Sequence, residues 1–549
     1  IDTLLAWPTL AALALAAVAA VPVGARWLRV AQREHYVPWS VSRMAWLWVV
    51  REPATAPALV VALLAIALPL ILIAPLAQPL PLLIANPLAF AAIVLLSLLP
   101  FGLSPRGTSK KLAFTSRIKR LLLVWVVLHL AVGIVLASFL GAAGPALTLL
   151  LSAPLTDLAL AIMAPIEKAA SQRYVTQAQA RLKQTGSRVV AITGSYGKTS
   201  TKNYVAHLLS AAFTTVASPA SFNNRLGLAR AVNDKLVPGT ELFVAEMGMA
   251  APGQIAELCR QFPPSIAAIT VIGEGHLQRM RTTDAILREK SSITDLAPIV
   301  VLPIDDPRLG ALAEQCRAAG KTVITTTCVA GVEADVVLAP PTAAASDDAG
   351  ENTAAPDAEP WSIRLGAGAE PVPVSIGGVE HAVNVAVAAG IALAAGVPAS
   401  GVAARLGDLP GSQHRAEVQQ APTGALVIDD TYNANPVGSL RALEGAASLA
   451  AERGGPLVVV TPGMVELGPV QAERNRAFGA AIGAAGGLLF AVARTNRAAL
   501  LAGYTSTATS ASPGAFAVTT RDAAVARAVA AAGDRGVILY ENDLPDHYP

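Results

Sequence analysis

Five apolar runs dominate the first third of the chain, near residues 3–23, 57–77, 80–103, 121–141 and 145–165. As helices, each is long enough to cross about 30 Å of hydrocarbon. The pattern therefore predicts an all-α transmembrane bundle of about five helices over residues 1–166. From Glu167 to Lys183, polar positions interrupted by spaced Ala, Val and Leu predict a short helix that leads out of the bilayer. After it the texture changes to short apolar strands alternating with Ala-rich helices, the pattern of α/β units built on mainly parallel sheets. These transitions divide the chain into a bundle (1–166), a juxtamembrane linker (167–186), a first α/β unit (187–410) and a second (411–549). The Ala-, Asp-, Pro- and Thr-rich stretch Thr342–Glu359 reads as a flexible loop inside the first unit.

Charge supplies an orientation. The connection from Trp27 to Glu52 carries Arg29, Arg33, Arg43 and Arg51, and that from Pro105 to Arg120 carries Arg106, Lys110, Lys111, Arg117, Lys119 and Arg120. The connections Gln78–Pro79 and Gly141–Gly144 carry no cation. With basic loops held inside, the N-terminal end faces out and the α/β units are cytoplasmic, the arrangement of a multi-pass protein of a bacterial inner membrane. Only 14% of the residues are charged, against about 25% in an average soluble domain, which agrees with a chain partly in lipid. The net charge of +3 lacks a basic stripe and speaks against nucleic acid as a partner. Cys259, Cys316 and Cys328 contain no C-x-x-C pair and read as buried, reduced thiols. Asp157 and His129, inside apolar runs, mark either a substrate path or helix–helix hydrogen bonds. Arg33-Glu34-His35-Tyr36 with Trp46 and Trp48 read as interfacial anchors or a lipid head-group contact. Small residues such as Gly133 and Ala137 leave room for close helix packing, including that of an oligomer.

The chemistry begins after the strand Val189–Ile192, which runs into Thr193-Gly194-Ser195-Tyr196-Gly197-Lys198-Thr199-Ser200 and then a helical segment. Small residues there let backbone N–H groups approach phosphates, the lysine reaches the outer phosphates, and the threonine hydroxyl can hold Mg2+. The strict phosphate-loop pattern is broken by Ile192 at its first glycine position. A second strand, Leu242–Ala245, ends in Glu246, and a third, Ala268–Ile272, is followed by His276 and, fourteen residues on, by Lys290. An acid and an imidazole at strand ends can share a metal with phosphates.

In order, T-G-S-x-G-K-T-S, S-F-N-N-R-L-G, A-E-M-G, I-x-x-x-H with its lysine, and Asp429-Asp430-Thr431-Tyr432-Asn433-Ala434-Asn435-Pro436 resemble the Mur ligase family. Together with Glu466-Leu467-Gly468 they most resemble its D-alanyl-D-alanine-adding, MurF type. The resemblance implies a central P-loop ATPase domain, a C-terminal Rossmann-like domain, and an ATP-dependent amide ligase working through an acyl phosphate. It implies ATP and Mg2+ as cofactors, with Gly194, Ser195, Gly197, Lys198, Thr199, Ser200, Asn384, Arg415 and Asp430 at the nucleotide. Thr199, Glu246, His276 and a carbamylated Lys290 would serve the metal, with Lys198, Glu246, His276 and Lys290 as the catalytic set. Asn223, Asn224, Tyr432, Asn433 and Asn435 would line the substrate. The implied partners are a peptide or muramyl-peptide precursor, an amino-acid or dipeptide amine, and membrane lipid.

The departures concern substrate. The bundle stands where the family has a uridine-nucleotide-binding domain. The adenine motif reads Gly378-Val379-Glu380-His381-Ala382-Val383-Asn384, so Asn384 serves from a shifted position, and Arg415 is displaced from its usual place behind Gly411. Thr461-Pro462-Gly463-Met464-Val465-Glu466 lacks an expected aspartate, Asn475 stands where a histidine is common, and Tyr540–Asp546 replaces a glycine-rich lysine segment. Three readings stay open: a D-alanyl-D-alanine-adding enzyme, a membrane synthetase that acts on a lipid-linked precursor or extends a polypeptide, and an ATP-driven transporter or sensor.

Overall fold

The computed structural model describes residues 6–73, 79–106, 111–220, 222–329, 331–339, 361–366, 368–374, 382–410, 417–431, 434–544 and 547–549. The loop expected over 342–359, together with Arg415, Tyr432, Asn433 and the motif residues 378–381, lies outside them.

The apolar third folds as helices Trp7–Arg33, Ser40–Arg51, Thr55–Ile73, Pro79–Leu98, Ser116–Leu140 and Ala143–Leu150, followed by the start of Ser152–Thr185. Five straight spans are not what forms. Among the described residues, Trp7–Arg33 and Ser116–Leu140 are long and apolar enough to cross a membrane. Two bent pairs raise the number to as many as four if each pair counts as one span: Ser40–Arg51 with Thr55–Leu68, and Ala143–Leu150 with Ser152–Thr185. Proline explains both bends. At the first bend Glu52, the residue before Pro53, is extended (φ −97°, ψ 106°), and Pro57 and Pro154 fall in the first turn of the second helix of each pair, where the missing N–H costs nothing.

Polar groups inside the bundle are spent on structure. Asp157, fully buried, accepts from the N–H of Val41 (3.2 Å) and Ser42 (2.7 Å), so it caps the neighbouring helix Ser40–Arg51. His129 stacks on Trp125 and joins the Trp125 carbonyl (2.8 Å) to the Ser152 hydroxyl (3.0 Å). Both make helix–helix hydrogen bonds, the second of the two expected roles. Arg29, expected as a flanking cation, is buried and donates to the Ser104 carbonyl (2.8 Å).

The juxtamembrane helix is not a separate short element. Ser152–Thr185 runs unbroken for 34 residues, roughly 50 Å at 1.5 Å per residue. Its first half packs Ala153, Ala159, Leu160 and Met163 into the bundle core. Its second half packs Val175, Ala178 and Leu182 against Leu228 and Val232 in the core of the first α/β unit.

That unit holds strands β1 (Arg188–Thr193), β2 (Thr215–Ala217), β3 (Leu242–Glu246), β4 (Pro264–Ile269), β5 (Ile299–Pro303), β6 (Thr322–Thr327), β7 (Val336–Ala339), β8 (Trp361–Leu365) and β9 (Val372–Val374). The order is β2-β3-β1-β4-β5-β6-β7-β8-β9, parallel as far as β7, with β8 and β9 antiparallel. Apolar clusters cover both faces, which is why β1 and β3 read as continuous apolar runs. The second unit holds β10 (Glu417–Gln420), β11 (Leu426–Asp430), β12 (Leu457–Thr461), β13 (Leu488–Val492), β14 (Ala515–Val518) and β15 (Val537–Glu541) in the order β10-β11-β15-β12-β13-β14. All its pairings are parallel except β10 with β11.

In the second unit, helices Gln471–Ala484 and Arg497–Thr507 touch backbone to backbone. A Cβ at Gly503 would stand 1.9 Å from the Arg476 carbonyl oxygen, and one at Gly479 would stand 2.1 Å from that of Leu500. Gly503→Ala is expected to destabilise this unit by about 1–3 kcal/mol, overpacking outweighing the helical preference for alanine. A thermal midpoint equal to or above that of the unaltered protein would contradict this. Of the cysteines, Cys259 and Cys316 are buried, whereas Cys328 is only partly so.

Candidate active site

The order β3-β1-β4 places the end of β1 at the point where the connections diverge to either side, the crevice where open α/β sheets receive ligands. The loop after β1 fills it. Gly194 (φ +156°) lies so close to Thr270 that a Cβ would sit 1.9 Å from its hydroxyl, and Gly197 (φ +77°) is as tight against Asn384. The helix Lys198–Leu209 begins behind Gly197 with no side-chain cap, which leaves N–H groups and a positive dipole end for an anion. Lys198 folds back on the loop, its Nζ donating to the carbonyls of Gly194 (2.8 Å) and Ser195 (3.3 Å).

Glu246, at the end of β3 and level with Ile192 of β1, gathers the next group. Its Oε2 accepts from the Thr199 hydroxyl (2.9 Å) and its Oε1 from Asn223 Nδ2 (3.1 Å). Lys202 joins them, paired with Glu246 at 3.4 Å and donating to the Ala220 carbonyl at 2.6 Å; both side chains are 2% exposed. Sequence reasoning passed over Lys202. Its signal was its place one helical turn after Lys198, on the same face.

Lys290 reaches the loop from the other side, donating to the Gly194 carbonyl at 2.8 Å. Burial, then the charge of Lys198, hold its ammonium well below the usual lysine range, which favours the neutral amine. A neutral amine is the form that carbamylation requires.

His276 adopts φ +66° at the head of the short helix Leu277–Met280 and points Nδ1 at Glu466 Oε2 of the second unit, 2.9 Å away. Glu466 shares the strained backbone, also at φ +66°, at a cost of about 1–3 kcal/mol per residue. The two side chains are 31% and 26% open to solvent, yet the protein around them is dense enough for burial to lead. Burial raises Glu466, but the His276 hydrogen bond and Arg279 override it and bring it to about 2. Burial lowers His276, Lys198 and Lys290 add to that, and Glu466 opposes them only in part. At neutral pH the contact is therefore a neutral imidazole donating Nδ1–H to a carboxylate, which leaves the Nε2 lone pair available to a ligand.

The expected residues are thus partly assembled. Lys198, Thr199, Glu246, Asn223 and Lys290 converge on the phosphate loop, with His276 facing it from the crevice edge. Among the described residues, no three His, Cys, Asp or Glu side chains form a metal cluster. Mg2+ takes only one or two carboxylates when phosphates and water supply the rest, so the oxygen pair of Thr199 and Glu246 fits it. Ser195 is occupied with the Gly273 backbone (3.1 and 3.0 Å), and Ser200 is buried under the loop. Asn384, with its buried Oδ1 unpaired, lies against Gly197 and so beside the phosphate loop. Two expected substrate residues also cap helices: Asn224 caps Arg225–Lys235 through Gly227 N (3.0 Å), and Asn435 caps Pro436–Arg453 through Gly438 N (2.9 Å).

Asp430 ends β11 level with Glu541 at the end of β15. Glu541 is fully buried between Ser439 (2.5 Å) and Thr461 (2.6 Å), and burial pushes it up to about 7. The geometry agrees. The Ser439 hydroxyl has one proton and two acceptors in reach, the Asn435 carbonyl (2.8 Å) and Glu541, so when it turns to Asn435 a proton on the Glu541 carboxyl can fill the short contact. A raised carboxyl binds a proton in the folded state that the unfolded chain has lost. Stability should therefore fall by up to about 3 kcal/mol as pH rises from about 4.5 to about 7. Glu541→Gln should flatten that slope in pH-dependent unfolding; an unchanged slope would refute the assignment.

Comparison with known proteins agrees with this arrangement. The family model described as the Mur ligase middle domain matches residues 192–392, and that described as the Mur ligase, glutamate ligase domain matches 414–540. The UDP-N-acetylmuramoyl-tripeptide–D-alanyl-D-alanine ligase of Mycobacterium tuberculosis is 33% identical over 290 residues, 51% of this chain and 53% of that protein. The protein of the same name from Bacillus subtilis is 29% identical over 307 residues, 56% and 62% of the two chains. The chain thus spans about half the length of the M. tuberculosis relative. Among solved structures, MurF from Acinetobacter baumannii aligns with a TM-score of 0.53 at 25% identity, covering 67% of this chain and 77% of that one. The MurF ligase of Thermotoga maritima in complex with ADP shares the fold at 22% identity, TM-score 0.52, over 68% and 80% of the two chains. The helical bundle and its linker lie before both family matches. With both of its α/β units matched in order and the phosphate-loop cluster at their centre, the chain belongs to the Mur ligase family.

Proposed function

We propose that this protein is a membrane-anchored, ATP-dependent ligase that joins a carboxylate to an amine, adding D-alanyl-D-alanine to a muramyl-tripeptide cell-wall precursor. The observation that carries the reading is the pairing of Thr199 with Glu246 beside Lys198, at the mouth of the sheet and opposite the second unit. The bundle sits in a bacterial inner membrane and the α/β units are cytoplasmic. Relatives named for D-alanyl-D-alanine addition support the choice of substrate.

A carboxylate resists attack by an amine, so its oxygen first takes the γ-phosphoryl group of ATP, releasing ADP. The amine then attacks the acyl carbon, phosphate leaves with the bonding pair, and the amine gives up a proton. Lys198 and the N–H groups behind Gly197 stabilise the charge of the transferring phosphoryl group. Mg2+, when bound, shields the phosphate charge; Thr199 and Glu246 would hold it, with His276 Nε2 and a carbamylated Lys290 nearby on the loop. Asn384, its acceptor unpaired beside the loop, is suited to a donor on the nucleotide.

A lipid-linked acceptor is the second reading, favoured by a bundle that occupies the chain ahead of both family matches. Mass spectrometry separates the two. The detergent-purified protein is given ATP, Mg2+, UDP-muramyl-tripeptide and D-alanyl-D-alanine, with Lys198→Ala as control. A pentapeptide product with ADP, absent in the control, supports the first; turnover only with membrane lipid extract supports the second; no ADP in either case refutes both.

A further inference from the structure

Glu34 was expected at the membrane surface, yet it is only 2% exposed. The Arg33–Tyr36 turn packs inward on the α/β units. Glu34 Oε2 accepts from Arg43 (2.5 Å) and from Arg279 of the first unit (3.4 Å), while Oε1 meets His547 Nε2 of the second (3.0 Å). Trp48, also buried, donates its indole N–H to the His547 carbonyl (2.9 Å), and Tyr548 packs into the bundle core. One bundle carboxylate therefore touches both halves of the ligase.

The contacts continue inward. Arg279, which meets Glu34, also donates to Glu466 Oε1 at 3.0 Å, and Glu466 Oε2 receives the Nδ1–H of His276. The Glu466 carbonyl accepts from Gln278 N (3.1 Å), while Asn475 fastens the Glu466 loop through Met464 N (2.8 Å) and Met464 O (2.9 Å). Arg474 grips Glu274 at 2.6 Å and closes the same seam.

We propose that Glu34 is a positioning residue for the candidate metal site: through Arg279 and Glu466, the membrane bundle fixes the His276 ring by its Nδ1 and holds the second unit against the first. It rests on the ligase reading only for what His276 serves. Both contacts are made by Nη2 of Arg279, so losing Glu34 frees the guanidinium to leave the position in which it meets Glu466. Glu466 then keeps one partner fewer, and the His276 ring loses the fixed acceptor that defines its tautomer.

The test uses the full chain in detergent. In Glu34→Gln, backbone hydrogen exchange in Leu277–Met280 and Met464–Val470 should accelerate by at least about tenfold. Mn2+ affinity in the presence of ADP, read by electron paramagnetic resonance, should fall by about tenfold, the low end for an outer partner of a ligating histidine. Glu34→Asp should recover part of both. Should Glu34→Gln fail to fold, Arg279→Met keeps an apolar stem but removes the cation shared by Glu34 and Glu466, and the same two changes are expected with exchange in Ser40–Arg51 unaltered. Unchanged exchange and Mn2+ affinity in the folded variants would overturn the proposal. Exchange is measured without substrate, so a different reaction would leave that arm readable and the failure attributable.

Discussion

Lys198→Ala is expected to lower ATP turnover by about 10²–10³-fold, the loss typical of one preorganised charge or donor at a transferring group. Thermal stability should be nearly unaffected. The ammonium bonds loop carbonyls at 2.8 and 3.3 Å, and Lys198 belongs to none of the apolar core clusters. The variant also removes the neighbouring cation that helps keep Lys290 in its neutral form. A titration of Lys290 displaced upward, with the fold intact, would separate electrostatic loss from collapse of the loop. Turnover within a few-fold of the unaltered protein would remove Lys198 from the proposed chemistry.

The second large effect belongs to Lys202. Lys202→Met keeps the length and apolar stem but takes the cation from a pair whose members are both 2% exposed. Breaking a buried pair by removing one partner typically costs about 3–5 kcal/mol. Glu246 retains Thr199 and Asn223, so the lower end, about 3 kcal/mol, is expected. Lys202→Met with Glu246→Gln should recover stability while leaving turnover impaired, because the carboxylate is gone. A single variant as stable as the unaltered protein would show that the pair carries no such burden.

The phosphate loop, Glu246, His276 and Lys290 were legible because each follows a strand whose apolar run announces it. The topology then delivers strand ends to one edge. Asn224 and Asn435 carry a second signal that the family motifs overlie: asparagine before a helix, with Pro436 behind it in one case, is a capping residue. The seam was not legible at all. Glu466 lies 190 residues from His276, and Glu34 lies 245 from Arg279, so no local pattern can announce their contacts. The continuous helix Ser152–Thr185 was hidden differently. Its apolar half obeys the rules of lipid and its polar half those of water, so one helix reads as two.

That helix and the Glu34 cluster join the same two bodies at separate places. A body held at one point can swivel in any direction, but one held at two can turn only about the line through them. The continuous helix sets the height of the phosphate loop above the bundle, and Glu34, with Glu52 paired to Arg494, restrains the rotations that remain. Lengthening that helix by even one residue would turn the α/β units by about 100° and lift them by about 1.5 Å, carrying Arg279 out of reach of Glu34. The spacing between bilayer and catalyst is thus a dimension of the active site, as exacting as a bond length within it.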